Sequence, residues 1–324
     1  MTKMRWYRFL LLGVLSALVL AACGTTTPTS MPAEPAPTAA AAPTAASSEP
    51  AASGSVVVAS KDFTEEFIVA EMYALLLENA GLQVERKINL GGTPIAQAAI
   101  VAGEIDLYPE YTSTGLLTVL KQDPLKDPQE IFQAVKQGYE EQFSLTWLTP
   151  SPFNDTQGLA TTKEIAEQYG ITSYSDLATK ASELRLGAPA EFTEREDGIK
   201  GLQETYGGFE FKELKQLGTG PLRYDALKNG EIDVVVVFTT DARIAADGLV
   251  VLNDDKTLYP IYNIAPVVRQ DTLTKYPQIA DALNKLAPLL TDEVITGLNA
   301  KVDIDGEDYA AVAKAFLTEQ GLIQ

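Results

Sequence analysis

Four side chains at corresponding points of two repeated segments are the candidates for chemistry in this sequence. Tyr111 and Phe238 each close an apolar strand and precede Thr, while Glu66 and Arg195 each follow a Phe-Thr-Glu turn. If two copies of one scaffold face each other, these side chains would line the cleft between them and contact a ligand. The same residue types also suit core packing and a solvated surface, so the pattern alone leaves both interpretations open.

The repeat predicts two related α/β lobes. Residues 90–113 align without a gap to residues 217–240, and each copy has a Gly-rich turn, a Pro, a helical stretch, Gly-Glu-Ile-Asp and an apolar strand. Upstream of each copy an acidic-Phe-Thr-Glu turn follows a strand, at 62–65 and 191–194. The strand–turn–helix order places both turns at the carboxyl edge of a sheet, where open α/β sheets bind ligands.

Hydrophobic periodicity and helix-start signals give the remaining elements. For the first lobe we predict strands at 56–59, 84–88 and 145–148, a helix from Thr64 to Gly81 and a helix from an Asp127 cap to Phe143. For the second lobe we predict a helix at 161–169 and a strand at 184–187, besides the repeat. A strand at 262–268 would return to the first lobe, followed by helices at about 272–286, 291–299 and 307–320.

The N-terminal sequence predicts export and lipidation. Basic residues precede the apolar run 9–22, which is too short to span a bilayer and is typical of a secretory signal peptide. Leu20-Ala21-Ala22-Cys23 resembles a bacterial lipobox, so we expect lipid on Cys23. The Thr/Pro/Ala-rich segment from 24 to 54 lacks large apolar residues and is expected to be a disordered tether.

Composition excludes several classes of function. The formal net charge of −19 becomes −22 without the three basic residues of the signal, which argues against nucleic-acid binding. With no His and one Cys, the chain cannot build an intramolecular disulfide, and a Zn site or a Ser–His or Cys–His arrangement lacks its residues. We therefore expect that the protein binds no metal or cofactor and is not an enzyme. A carboxylate pair such as Glu66 and Asp155 could in principle act in acid–base catalysis.

Five motifs resemble the substrate-binding proteins of osmoprotectant ABC importers, the glycine betaine, choline and carnitine binders of the OpuC and ProX type. The likeness runs from Ser55 to Gln324 with its motifs in matching order. The motifs are Ser-Lys-Asp-Phe-Thr-Glu at 60–65, Leu-Gly-Gly-Thr at 90–93, Tyr-Pro-Glu-Tyr-Thr-Ser-Thr at 108–114, Phe-Asn-Asp-Thr at 153–156 and Phe-Thr-Thr-Asp at 238–241.

The resemblance implies a type II periplasmic-binding-protein fold with an aromatic box between the lobes. A trimethylammonium group has no N–H to donate, so it is recognised by ring faces and shape. Carried over by motif, the box contains Tyr111, Phe238 and Tyr262, with polar contacts from Thr114 and Asp155. The resemblance also places Arg195 against a ligand carboxylate and Lys61 beside that carboxylate or in lobe closure.

Three positions depart from the pattern of the family. Gln157 stands where relatives commonly have a box Tyr, Phe238 stands where Tyr is usual, and Glu66 is often Gln. Gln157 removes a ring and leaves an amide that could bond a hydroxyl or carboxyl group. These changes could shift the preference towards choline, or towards a bulkier or hydroxylated ligand such as carnitine.

We therefore predict an extracytoplasmic, lipid-anchored, monomeric binding protein that closes on a quaternary ammonium osmolyte and delivers it to an ABC permease. The predicted divisions are a signal peptide at 1–22, a lipidated linker at 23–54, a discontinuous first lobe at 55–156 and 262–324, and a second lobe at 157–261. The alternative ligands are another small cation or zwitterion, such as an amino acid or a polyamine.

Overall fold

The computed structural model describes residues 54–324 and contains ten strands in that range. In chain order they are β1 Val56–Ala59, β2 Val84–Lys87, β3 Leu107–Tyr111, β4 Leu145–Trp147, β5 Gln157–Thr161, β6 Arg185–Ala188, β7 Glu213–Gln216, β8 Val234–Phe238, β9 Val250–Val251 and β10 Ile264–Arg269. The central strands β3, β5 and β8 are buried on both faces or nearly so, and β8 accordingly has a continuous apolar sequence.

Thirteen helices accompany these strands in the described residues. They are α1 Thr64–Asn79, α2 Thr93–Ala102, α3 Thr112–Thr114, α4 Pro128–Phe143, α5 Lys163–Tyr169, α6 Tyr174–Lys180, α7 Ile199–Tyr206, α8 Leu222–Lys228, α9 Ala242–Ala246, α10 Gln270–Lys275, α11 Gln278–Leu283, α12 Asp292–Asp303 and α13 Tyr309–Glu319. Short 3-10 turns lie at Ala181–Glu183, Ala190–Thr193 and Ala287–Leu289, and a π-helical turn lies at Gly115–Val119.

The strands form two sheets of five with the same internal order. The first runs β2-β1-β3-β10-β4 and the second β7-β6-β8-β5-β9. In each sheet four strands run in one direction, and the fourth in the order, β10 or β5, is antiparallel to both its neighbours. We refer to the first sheet with its flanking helices as the first lobe and to the second as the second lobe.

The chain crosses between the lobes twice, after β4 and after β9. Because β10 returns to pair with β3 and β4, the first lobe is interrupted by the second. Helices α11, α12 and α13 pack against α1 and so complete the first lobe. Two neighbouring crossings are the geometry of a hinge.

Each sheet is covered by apolar side chains on both faces. In the first lobe one cluster centres on Ile68, Met72 and Leu77 of α1, and the other on Tyr139 and Trp147. In the second lobe the larger cluster includes Phe192 and Phe209, and the smaller one packs α8 on β8. This three-layer arrangement is the one that buries a mostly parallel sheet.

Most predicted elements are confirmed within a few residues. The strand at 56–59, the Asp127 cap of α4 and the return strand are present, and the Asp127 carboxylate accepts the backbone N–H groups of Gln129 and Glu130. The predicted helix at 272–286 is wrong as a single helix, because Pro277 separates α10 from α11. Helices α6 and α9 and strands β7 and β9 were not predicted.

The predictions for the N-terminus lie outside the described residues. These are the signal peptide, the lipidation of Cys23 and the tether, which ends beside the first described residue, Gly54. Between residues 54 and 324 no helix is both long and apolar enough to cross a membrane.

Candidate functional site

The two lobes meet along the carboxyl edges of their parallel strands and enclose a cavity. Tyr111 and Phe238 are the last residues of β3 and β8, while Lys61 and Phe63 follow β1. Gln157 opens β5 and pairs across the ladder with Phe238. The cavity volume is about 30 Å³, which has room for a water molecule but not for a larger ligand, so a ligand can enter only when the lobes separate.

Eight of the nine residues predicted for ligand binding line this cavity. They are Lys61, Tyr111, Thr114, Asp155, Gln157, Arg195, Phe238 and Tyr262. The ninth, Glu66, does not line it: its side chain is fully buried, and its carboxylate accepts the backbone N–H of Lys61 at 3.1 Å. Glu66 therefore reaches the cavity only through its effect on Lys61.

Sequence reasoning missed Phe63 as a wall of the cavity. Its ring lies 6.2 Å from the Tyr111 ring and 5.8 Å from the Phe238 ring, centroid to centroid, with interplanar angles of 20° and 9°. Phe63 thus links the aromatic residues of the two lobes in one nearly parallel stack. The signal available in the sequence was its place in the repeated Phe-Thr-Glu turn.

Lys61 is held by carboxylates of its own lobe. Its Nζ lies 2.5 Å from Glu110 Oε1 and 3.7 Å from Glu66 Oε1, and both acids are fully buried. Burial alone would lower the pKa of Lys61, but Glu110 and Glu66 outweigh it and raise that pKa. The ammonium also stands 4.7 Å from the centroid of the Tyr111 ring, so one face of this ring already meets a cation.

Burial raises the pKa of Glu66 to about 8, despite the opposing effect of Lys61. Glu66 is therefore mostly protonated at neutral pH. Glu66 therefore adds little negative charge near the cleft at neutral pH, and it behaves like the Gln that the resemblance often places at this position.

Arg195 is held by an acid that sequence reasoning did not single out. Its Nε and Nη2 donate to the two oxygens of Asp197 at 2.7 and 2.6 Å, and Asp197 is nearly buried. Burial would raise the pKa of Asp197, but the guanidinium outweighs it and lowers that pKa. The predicted carboxylate-binding fork of Arg195 is thus occupied by Asp197, and its Nη1 lies 3.5 Å from Glu191.

Asp197 also joins the lobes. Tyr262, on the segment that leads into β10, donates its hydroxyl to Asp197 Oδ2 at 2.5 Å. Gln157 donates its amide N–H to the backbone carbonyl of Asp197 at 2.6 Å, which leaves the Gln157 carbonyl oxygen as the polar atom available on that wall.

The repeated turns contact each other reciprocally across the cleft. The backbone N–H of Thr93, in the Gly-rich turn of the first lobe, donates to Glu191 of the second at 3.2 Å. Thr219, in the corresponding turn of the second lobe, donates its hydroxyl to the backbone carbonyl of Asp62 at 3.0 Å. The structure is therefore a closed arrangement, with the site covered on both sides by the duplicated turns.

The chemistry of this site is that of binding. Its walls combine ring faces with cations whose charges are already paired, and within residues 54–324 no group of three or more acidic, His or Cys side chains is placed to hold a metal ion. Such walls suit a compact cation that enters without hydrogen-bond donors of its own.

Comparison with known proteins identifies the family. Residues 54–319 match the substrate binding domain of ABC-type glycine betaine transport systems. The chain belongs to this family. Members of this family are transport substrate-binding proteins.

Named relatives agree with this assignment. The chain is 34% identical over 279 residues to the glycine betaine-binding protein YehZ of Escherichia coli, covering 82% of this chain and 90% of the relative. It is 38% identical over 268 residues to the ergothioneine transport permease/ergothioneine binding protein EgtU of Helicobacter pylori, covering 82% of this chain but only 48% of that relative. This chain thus spans about half the length of the latter protein.

Solved structures show the same fold. A glycine betaine/carnitine/choline ABC transporter structure superposes with a TM-score of 0.65 at 32% identity, covering 83% of this chain and all of that one. Apo YehZ gives a TM-score of 0.58 at 33% identity over the same share of this chain. The predicted type II periplasmic-binding-protein fold is confirmed, and proteins of this kind act outside the cytoplasm with an ABC permease.

Proposed function

We propose that the chain binds a quaternary ammonium osmolyte between its lobes and passes it to the permease of its importer. The observation that carries this proposal is the aromatic wall of Tyr111, Phe63, Phe238 and Tyr262 in a cavity whose own cations are paired with acids. Desolvated ring–cation contacts are worth about 2 kcal/mol each, so four of them amount to about 8 kcal/mol, the free energy of micromolar binding.

We assign glycine betaine, choline or carnitine as the ligand class, in line with the family. Thr114 and Asp155 supply polar contacts beside the rings, while Lys61 and Arg195 meet an anionic end of the ligand after partial release from Glu110 and Asp197. Glu66 acts on this site through Lys61.

A second candidate, ergothioneine, is favoured by Gln157. Ergothioneine is a betaine that carries a sulfur-substituted imidazole ring with N–H donors. Gln157 replaces a ring of the box by an amide whose carbonyl oxygen has no partner among the hydrogen bonds of the described residues, and a relative that shares 38% identity is named for this ligand. An acceptor on that wall suits a ligand with N–H groups beyond its trimethylammonium head.

We also propose the finer organisation that the sequence predicts. Residues 1–22 are a signal peptide, Cys23 carries lipid, and 23–54 tether a monomer to the membrane. The first lobe comprises 55–156 and 262–324, and the second 157–261, with the hinge at the two crossings.

Isothermal titration of the protein with glycine betaine, choline, carnitine and ergothioneine tests the function. We expect micromolar or tighter binding of at least one of them, and none of glycine or arginine, whose amines bear N–H groups. Binding of arginine or a polyamine with none of the four would instead support the alternative of an amine-bearing ligand.

A further inference from the structure

Two buried carboxylates share one hydroxyl where the lobes meet. Thr240 Oγ1 lies 2.7 Å from Glu65 Oε2 and 2.7 Å from Asp155 Oδ1. Glu65 is 3% exposed, Asp155 4% and Thr240 3%. Water therefore has little access to any of these oxygens.

The proton count of this cluster is short by one if both acids are ionised. A hydroxyl has a single proton to donate, and an ionised carboxylate only accepts. Thr240 can thus satisfy one carboxylate, and its contact with the other needs a proton on that acid. We infer that the closed cleft contains a proton-binding site, formed by Glu65, Thr240 and Asp155, which fills when the lobes close.

The three residues come from different parts of the molecule. Glu65 lies in the first turn of α1 in the first lobe, Thr240 follows β8 in the second lobe, and Asp155 lies on the segment that crosses between them. Asn299 of α12 reinforces the junction, because its amide donates to Glu65 at 2.9 Å and to the Thr240 carbonyl at 3.2 Å. Separating the lobes removes Thr240 from Glu65 and returns this acid to solvent.

The other hydrogen bonds to Glu65 and Asp155 do not supply the missing proton. Glu65 Oε1 accepts the Tyr111 hydroxyl at 2.6 Å, and Asp155 Oδ1 accepts the backbone N–H of Thr240 at 3.2 Å. In residues 54–324 no Lys or Arg forms an ion pair with Glu65 or Asp155. Burial raises the pKa of both acids, the charge of Glu65 raises the pKa of Asp155 further, and the charge of Asp241 raises the pKa of both.

The other charged groups near Glu65 and Asp155 are either acids, which also favour protonation of the pair, or cations that are already paired with another acid. Asp241 faces the cluster, and its charge is met by Arg223, whose Nη2 lies 2.5 Å away. Asp303 of α12 accepts the Thr64 hydroxyl at 2.6 Å. On the other side of α1, Glu66 contacts Lys61, which is paired with Glu110.

Proton binding at this site makes closure of the lobes depend on pH. The closed form binds more protons than the open form, so closing is favoured as the pH falls. The effect spans the interval from the pKa of a solvated carboxyl, about 4, up to the raised pKa of the closed cluster. Within it, ligand affinity increases up to tenfold for each unit by which the pH falls.

Proton uptake on ligand binding tests the inference, which rests on the proposed function for its probe. The full chain is titrated with choline and with glycine betaine at pH 6, where Glu66 is protonated, in two buffers of different ionisation enthalpy. We expect an uptake approaching one proton per ligand. Glu65→Gln supplies an amide N–H to Thr240 and should abolish the uptake, whereas Asp303→Asn should keep it as the matched control.

Absence of uptake in the unmodified protein, or equal uptake in Glu65→Gln, overturns the inference. Should Glu65→Gln fail to fold by circular dichroism, Asp155→Asn replaces it with the same expected loss. If neither probe binds at any pH, the proposed ligand is wrong and X-ray scattering of the ligand-free protein decides: a radius of gyration that decreases from pH 8 to pH 5 supports the proton site, and a constant one rejects it.

Discussion

The two lobes repeat one scaffold, but the aromatic ring at the edge of each sheet has different surroundings. Tyr111 ends β3 and its hydroxyl donates to Glu65, which is buried. Phe238 ends β8 at the corresponding position and has no hydroxyl, and the matching acid, Glu194, is exposed. A buried hydroxyl needs a partner, so the hydroxyl and the buried acid occur together in the first lobe and are both missing from the second.

The turn after β1 in the first lobe also differs from the matching turn after β6 in the second lobe. In the first lobe α1 starts at Thr64 and buries Glu66 in its first turn. In the second lobe a 3-10 turn, Ala190–Thr193, stands at the matching place, and a loop separates it from α7, which starts at Ile199. Gly198 permits this loop, because a Cβ there would lie 1.9 Å from the Phe192 carbonyl oxygen. The loop frees Arg195 and Asp197 to face the cleft.

The comparison shows how a repeat can yield an asymmetric site. The strands common to both lobes set the positions of the rings. The turns after β1 and β6 differ, and they determine which charged side chains lie near the rings. The first lobe contributes an ammonium held by two acids, and the second a guanidinium held by one.

The largest effect on stability is expected from the second-lobe ion pair. Arg195→Met leaves Asp197 buried without its cation, which we expect to cost about 3–5 kcal/mol of unfolding free energy. Urea unfolding measures this. Lys200→Met, which removes an exposed pair with Glu196, should cost under about 1 kcal/mol. Equal losses in the two variants would show that the buried pair does not hold the loop.

Glu66 should make the stability of the first lobe depend on pH. Its pKa of about 8 in the folded protein exceeds the unfolded value of 4.5, so the folded form binds the extra proton. Stability from this group is full below about pH 4.5 and is lost as the pH rises through 8. We expect Glu66→Gln to stabilise the protein by a few kcal/mol at pH 9 and to leave it unchanged at pH 5.

Thermal or urea unfolding at both pH values checks this expectation. The exposed Glu104→Gln serves as the control, with no difference between the two conditions. An equal effect of Glu66→Gln at pH 5 and pH 9 would mean that Glu66 is ionised in the folded protein.

A smaller effect is expected when the first lobe is made to resemble the second. Tyr111→Phe removes one donor from Glu65 and should cost about 1 kcal/mol of unfolding free energy. The ring face remains, so ligand affinity should change by less than about threefold, a fraction of a ring–cation contact. Loss of binding in this variant would place the hydroxyl, rather than the ring, against the ligand.

The fold could be predicted because its signals are local and repeated. Strand periodicity, helix caps and the duplicated segment each act over fewer than about 25 residues, and the motifs carried the resemblance. The long-range contacts of the site could not be found this way. Lys61 meets Glu110, 49 residues away, only through the sheet register, and Tyr262 meets Asp197 only across the cleft.

Single and double ring variants test the central claim, that both lobes supply rings to one bound cation. Unmodified protein, Tyr111→Ala, Phe238→Ala and the double variant are titrated calorimetrically with choline and glycine betaine, beside Tyr309→Ala, a half-buried ring that does not line the cavity. We expect each cleft substitution to weaken binding about 10- to 30-fold, the double variant to show no binding, and the control to be unaffected. Unchanged affinity in folded Phe238→Ala would contradict the account, since the ligand would then be held by the first lobe alone.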